Sequence, residues 1–539
     1  MNIKKSIQKF LKQSEKGQAI ILIAFAFVGL VAMVGLVTDT GLLLIEYGKL
    51  KRSVDAAAIA AAQQYRVEAG TDEVNKESLE NAAINFLNLN QIQNLSNVIV
   101  HSCEDTGADR PALCNPDPIN NPRDNRKLVE VTASADVSFG FLRVLGFESV
   151  TLTTTSVGEA ATLDLVLIID TSAQMSYETG NEENCNATNN TNTCLSPYIE
   201  GSIDIGDDDP SVCNITDTCQ PMRAVKDVAL DFIDTLYFPY DRVAIVTMTS
   251  QHPGGSRSPM ELTPLISDKD DIVDFINSIN VFEPRVCDGT GDDEGACIKY
   301  VNGRYTGTIC EIYELNVNTN PNVDPSSCPS SNIGGVLNLA AYALQGSDDP
   351  NEIRLDSFWV VVALLGGPAN ATDPFPSFPN GACPRNTWLL SQGQGPWCRD
   401  KYPSTRHDDN DTISYTNPIS GEVFPVTSIY DADDYARDTA DQLAGLISGN
   451  GVTIYTIGLG TPIKNPARDS SGAIISGEPP PAEDLLQYIA ECAGEGVHDC
   501  DSLTEFDINH GQYFYAPDRA SLSAIFDRIA KNIATKISQ

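Results

Sequence analysis

The sequence predicts an α/β protein carried behind a single N-terminal membrane helix. Three observations carry this prediction. An unbroken apolar run of 19 residues, Ala19 to Val37, lies near the N-terminus. Four later apolar runs, Leu163–Ile169, Arg242–Met248, Phe358–Leu365 and Val452–Ile457, alternate with helical patterns. Between these regions, short alternating segments read as a small α+β unit.

The apolar run comes first. At 1.5 Å rise per residue it spans roughly 28 Å, about the thickness of a bilayer's hydrocarbon core. Lys4, Lys5, Lys9, Lys12 and Lys16 precede it against Glu15 alone. Basic flanks stay cytoplasmic, so residues 1–17 form a cytoplasmic basic segment and the bulk of the chain is extracytoplasmic. A cleaved secretory signal is the alternative, but its apolar region is shorter, about 7–15 residues. The expected layout is a transmembrane helix at 18–38, its extension from the membrane at 39–68, and the small α+β unit at 69–160. The stretch Lys49–Gln64 is rich in small residues, which lets other helices approach closely. Glu73–Leu87 reads as a second helix, and Asn97–Val100, Leu128–Val137 and Val150–Ser156 as strands. The middle strand alternates, with Val129, Val131, Ala133, Ala135 and Val137 on one face and Glu130, Thr132, Ser134 and Asp136 on the other.

Residues 161–539 follow another pattern. Nearly continuous apolar strands suit a parallel sheet buried on both faces. Helices are expected at Met222–Leu236, Asp268–Ile279, Ile333–Leu344, Tyr435–Ile447, Ala482–Cys492 and Arg519–Ile537. Alternating strands and helices predict a doubly wound, Rossmann-like sheet whose ligand sites lie at the C-terminal strand edge. Long insertions at about 177–219, 283–329 and 368–430 interrupt it; such loops need staples or serve as binding surfaces.

Charge and cysteine usage narrow the function. A net charge of −38 repels nucleic acid and anionic lipid and keeps the chain soluble. Apolar residues make up 42% of the chain, enough for packed cores, so this is not a disordered acidic segment. The 14 cysteines fall into neighbouring pairs: Cys103 with Cys114, Cys185 with Cys194, Cys213 with Cys219, Cys287 with Cys297, Cys310 with Cys328, Cys383 with Cys398, and Cys492 with Cys500. The pattern reads as sequentially paired loop staples in an oxidising compartment. Zinc is disfavoured, because no Cys-x-x-Cys occurs and the histidines are scattered. His252, His407, His498 and His510 lie near no Gly-x-Ser-x-Gly elbow, and no phosphate-binding glycine loop is present. The acidic runs Asp207–Asp209, Asp292–Glu294 and Asp408–Asp411 lack calcium-loop spacing and read as solvated loops.

The first strand of the large region ends in Asp170-Thr-Ser-Ala-Gln-Met-Ser176, oxygens at alternate positions that suit a hard cation. This stretch resembles the von Willebrand factor A-type domain and its metal-ion-dependent adhesion site, Asp-x-Ser-x-Ser with a distant Thr and a later Asp. Asp170 and Ser172 match, and Gln174 stands in place of the second Ser. Ser331, in Ser-Asn-Ile-Gly-Gly-Val-Leu337, resembles the Thr, and Gly366 stands where the Asp is expected. Val243–Thr249, Ile454–Gly460 and the ending Tyr513–Ile529 extend the resemblance over roughly 162–537. It implies Mg²⁺ or Ca²⁺ held by Asp170, Ser172, Gln174 and Ser331; a metal-free relict site with no cofactor is the alternative.

The N-terminal part is similar to the TadG-like proteins of Flp (tight-adherence) pilus assembly. The residues that carry this are Lys16-Gly-Gln-Ala before the span, Asp39-Thr-Gly after it, Leu50–Ala61, and Phe139–Phe147 followed by a Thr-rich strand. In that family the N-terminal unit often precedes a von Willebrand A-type domain. Some relatives are trimmed after a Gly that precedes the apolar run; Gly17 sits at that place, while Leu22 stands where pilins carry Glu. Together the resemblances imply a non-enzymatic, membrane-anchored protein of the bacterial envelope or surface, serving pilus assembly or adhesion. Its partners would be pilus or secretion components or a surface ligand. A structural minor pilin or tip subunit with an inert site, and an envelope hydrolase, are the alternatives.

Overall fold

The structure is a computed structural model that describes residues 3–65, 76–114, 127–176, 178–179, 197–198, 210–248, 260–282, 285–286, 296–301, 304–310, 331–345, 353–354, 357–369, 371–373, 406, 412–416, 423–427, 430, 432–446, 451–467, 474–497, 500, 503 and 508–537. The chain divides into two compact units, residues 1–160 and 161–537.

The first unit is built on one long helix, α1 (Ile3–Ala62). No proline interrupts it, so the apolar span and its extension form a single helix of 60 residues. It ends at Ala62 rather than residue 68; a turn runs on to Tyr65, and 66–75 lie outside the described residues. The second helix, α2 (Lys76–Leu89), precedes an antiparallel sheet in the order β1 (Leu95–Ser102), β2 (Lys127–Ser138), β3 (Ser149–Ala160). The alternation along β2 is realised: Val129, Val131, Ala133 and Ala135 are buried. On the other face Thr132 pairs with Thr155, and Ser134 with Thr153, through hydroxyl hydrogen bonds of 2.8 Å.

The small residues of α1 find their use inside this unit. Leu50, Val54, Ala57, Ala58 and Ala61 are buried where α1 packs on α2, β2 and β3. Their smallness lets the sheet come close: a β carbon at Gly158 in β3 would overlap the Ala58 carbonyl. The stretch expected to admit other helices is therefore occupied by the unit's own helix and sheet. A disulfide between Cys103 and Cys114 staples the loop after β1.

The second unit runs β4 (Leu163–Ile169), α3 (Pro210–Thr216), α4 (Met222–Ile233), β5 (Arg242–Thr247), β6 (Met260–Ile266), α5 (Lys269–Ser278), β7 (Arg285–Val286), β8 (Ala296–Val301), β9 (Arg304–Cys310), α6 (Ile333–Leu344), β10 (Phe358–Leu365), β11 (Thr412–Thr416), β12 (Val423–Thr427), α7 (Ala432–Ala444), β13 (Val452–Leu459), α8 (Pro481–Glu491), β14 (Tyr513–Ala516) and α9 (Arg519–Ile537). Its main sheet has the order β14-β13-β10-β4-β5-β6. Neighbours are parallel except the edge strand β6, which is antiparallel to β5. Counted within the sheet the order is 3-2-1-4-5-6, the doubly wound arrangement. With its antiparallel third strand this is the von Willebrand A-type fold.

Every residue of β4 and β13 is buried, because helices cover both faces. Leu165, Leu167, Val243, Ile245 and Val362 face α4, α5 and α9. Val166, Ile168, Val246, Val361 and Ile454 face α6, α7 and α8. At the opposite edge from the candidate site, Arg242 grips Asp164 through two hydrogen bonds of 2.9 and 2.7 Å, and the Ser357 hydroxyl donates to the same carboxylate. Sequence periodicity did not reveal β6, which carries Pro264, nor the small sheets β7–β9 and β11–β12 within the insertions.

Of the seven expected cysteine pairs, two are bridged in this unit, Cys213 with Cys219 and Cys492 with Cys500. The other four fall within the insertions, and their side chains lie outside the described ones. They are Cys185 with Cys194, Cys287 with Cys297, Cys310 with Cys328, and Cys383 with Cys398. Of these eight residues, Cys297 and Cys310 have a described backbone, in β8 and β9, while Cys185, Cys194, Cys287, Cys328, Cys383 and Cys398 lie wholly outside the described residues. The side chain of Lys16 and the processing position Gly17 are likewise outside the described side chains.

Candidate functional site

In a doubly wound sheet, the crevice opens at the C-terminal strand edge where the winding reverses. Here that point lies between β4 and β10. Asp170 directly follows β4, and Gly366 directly follows β10. The Asp170 N–H donates to Leu364 O at 2.9 Å, so the pairing of the two strands carries on into the site. Ser172 and Gln174 lie on the turn after β4, and Ser331 lies just before α6. The fold thus brings together all five positions that the motif singles out.

Their geometry is closed. Asp170, Ser172 and Ser331 have no exposed surface, and Gln174 is buried. The Asp170 Oδ1 accepts from the Ser172 N–H at 2.7 Å, and Oδ2 accepts from the Gly366 N–H at 2.8 Å. Burial pushes the Asp170 pKa up, while these two N–H groups and the nearby Ser172 hydroxyl pull it down. Gln174 Nε2 donates to Ser331 Oγ at 3.3 Å. The carboxamide therefore spans the gap between the two polypeptide segments. It lies flat on the turn after β10: a β carbon at Gly367 would overlap Gln174 Oε1, and one at Gly366 would come within 3.2 Å of Asp170 Oδ2. Ser172 Oγ and Gln174 Oε1 are buried without a hydrogen-bond partner among the described residues.

Several contributors were not read from the sequence. Asn332 caps α6 by accepting from the Gly335 N–H at 2.9 Å. Its amide donates to Asp373 at 2.9 Å, and the same carboxylate accepts from the Tyr435 hydroxyl at 2.8 Å. Burial, then Asp373, raises the Tyr435 pKa, which keeps its hydroxyl a donor. Asp373 lies inside an insertion without a motif, so no sequence signal marks it. The hydroxyl of Tyr198, from another insertion, donates to Ala516 O and accepts from the Gly460 N–H at 2.7 Å, bridging the ends of β13 and β14. Glu178 accepts from the Thr461 N–H and hydroxyl at 2.9 and 2.8 Å. The chain's own insertions thus cover part of the C-terminal edge. Among the described residues, no group of three or more His, Cys, Asp or Glu side chains is placed to hold a metal.

Residues 17–64 match a family model, that of the Flp pilus-assembly TadE/G-like proteins. The N-terminal segment is TadE/G-like. Helix α1, in which this match lies, is long and apolar enough to cross a membrane. No curated protein sequence matches the chain. Solved structures with some likeness include a point mutant of the PilB minor pilin from Streptococcus sanguinis, at 12% identity and TM-score 0.33, covering 83% of this chain and 80% of that one. The pilus adhesin SpaC from Lactobacillus rhamnosus GG matches at 12% identity and TM-score 0.31, over 76% of this chain and 33% of that one. The SpRpn10 VWA domain matches at 11% identity and TM-score 0.27, over 68% and 94%. At such TM-scores these likenesses carry no weight for function, and the fold assignment stands on the strand order.

Proposed function

We propose that this chain is a non-enzymatic, membrane-anchored protein of Flp/Tad-type pilus assembly or adhesion. Its von Willebrand A-type unit would engage protein partners through the stapled loops around a degenerate, metal-free adhesion site. One observation carries the metal-free reading: the Gln174 carboxamide reaches across to Ser331 and fills the space over Gly366 and Gly367.

The charge inventory agrees. A hard divalent ion needs an oxygen cage and keeps several waters, usually with more than one carboxylate nearby. Asp170 is the one carboxylate among the five positions, and both its oxygens already accept backbone N–H groups. A dication there would leave net positive charge in a site without exposed surface, which is costly. The residues do not fit Mg²⁺ or Ca²⁺. Ser172 Oγ and Gln174 Oε1, which have no protein partner among the described residues, can be served by bound water.

The test uses the full chain in detergent, titrated calorimetrically with Mg²⁺, Ca²⁺ and Mn²⁺. The expected result is no binding heat and no thermal shift at millimolar ion; saturable binding that Asp170→Asn abolishes refutes the metal-free site. In cells, removal of the chain is expected to reduce surface filaments or attachment, with full restoration by a Ser172→Ala chain. Undiminished filaments and attachment in cells lacking the chain would refute the assembly and adhesion reading.

A further inference from the structure

Among residues 19–40 of α1, only Gly35 and Asp39 are buried. They lie one helical turn apart on the same face. Both are covered by the segment that joins β2 to β3. The Asp39 carboxylate accepts from the Gly140 N–H at 2.9 Å, from the Phe141 N–H at 3.1 and 3.0 Å, and from the Leu142 N–H at 2.6 Å. Gly35 has no side chain because Phe141 stands there: a β carbon would lie 2.7 Å from Phe141 Cβ. A 3-10 turn (Leu142–Leu145) follows, closed by Gly146 at φ 96°.

The depth of this turn follows from the helix. Gly35 is two residues inside the end of the apolar span at Val37, and Asp39 is two residues beyond it. At 1.5 Å per residue, the turn stands within about 3 Å of the span's end. What it presents there is apolar: Phe141 is 48% exposed, Val144 86% and Phe147 61%. Arg143 is exposed in the same turn. In water three large apolar groups on one short turn would be an unmet cost, whereas aromatic and cationic side chains are favoured at a bilayer's interface. The apolar surface of the span continues onto this turn.

We propose that the turn 141–147 is a second membrane contact, dipping Phe141, Val144 and Phe147 into the leaflet from which α1 emerges. The occupant of this surface is lipid. Asp39 makes the arrangement possible, since three backbone N–H groups replace the water its carboxylate would otherwise need. Rigidly tied to α1, the turn fixes both the depth of the helix and its rotation about its axis.

The full chain, reconstituted in vesicles of phosphatidylethanolamine and phosphatidylglycerol, tests this by photocrosslinking. A p-benzoylphenylalanine replaces Val144 or Phe147 in turn, both exposed positions that tolerate it. The control is Leu89, which is 74% exposed. It lies near Gln91, whose carbonyl accepts from Lys49 Nζ at 3.1 Å, and Lys49 is about 18 Å beyond the span's end. The expected result is lipid as the major adduct at 144 and 147, at several-fold the yield from position 89. Protein as the major adduct would assign the surface to another subunit and overturn the proposal. Yields no higher than at position 89 would overturn it as well.

Discussion

At the residue scale, the candidate site turns on one side chain. Asp170, Ser172 and Ser331 were legible from the sequence as positions that the motif singles out, and the fold places them side by side with Gln174 and Gly366. What Gln174 does was not legible, because the outcome depends on where a flexible carboxamide packs, and spacing carries no information on that. Gln174 and Gly367 are 193 positions apart, yet the space one occupies is the space the other leaves empty. Gly367→Ala should therefore expel the carboxamide and break its hydrogen bond to Ser331, costing about 1–3 kcal/mol of stability. Gln174→Ser removes the overlap, so the double variant should be more stable than the sum of the two losses by about 1 kcal/mol or more. Urea unfolding followed through the buried Trp359 measures all four corners of this cycle. Strict additivity would mean that the two residues do not share this space.

At the element scale, the sheet was legible because burial on both faces leaves a plain signature, unbroken apolar strands separated by helices. The strands missed are those without that signature. Edge strand β6 carries Pro264, which a central strand could not accommodate, and β7–β9 and β11–β12 lie within long insertions. In the first unit, the small-residue stripe of α1 was legible but its partner was not. Gly158 is separated from Ala58 by 100 positions and bears no local mark. The close approach of β3 to α1 depends on it. Gly158→Val should push the helix from the sheet and destabilise the first unit by about 3 kcal/mol or more. Hydrogen exchange of the full chain in micelles reads this out. Amides of β3 and of Val54–Ala61 should lose protection, while those of β4 and β13 keep it. Unchanged protection in β3 would show that the helix does not depend on this contact.

At the scale of the whole molecule, charge governs how stability answers to pH. The chain carries −38 net, but its most telling charge is a buried cation. Lys226 on α4 is 4% exposed, with Nζ 3.2 Å from both Asn277 O and Asp217 Oδ1. Burial and then the neighbouring Arg223 push its pKa down to about 8, against the pull of Asp227. Asp217 is half exposed and shared with Arg223, so it offsets little of this. The unfolded chain holds the same proton with a pKa near 10.5. Between pH 8 and 10.5 the unfolded state therefore binds more protons than the folded state, and stability must rise with pH. The shift sets an upper bound of about 3 kcal/mol, reduced to about 1–2 kcal/mol by solvent screening on the exposed side. Below pH 8 the lysine is charged in both states and its cost is constant. Tyrosines titrating in the same window would obscure this in the wild-type curve alone, so the quantity to follow is the stability of wild type minus that of Lys226→Met. Measured by denaturant unfolding of the full chain, it should be flat from pH 6 to 8 and then climb in favour of wild type. A difference that stays flat through pH 10.5 would mean the ammonium is solvated in the folded state, and that α4 and α5 leave it a path to water.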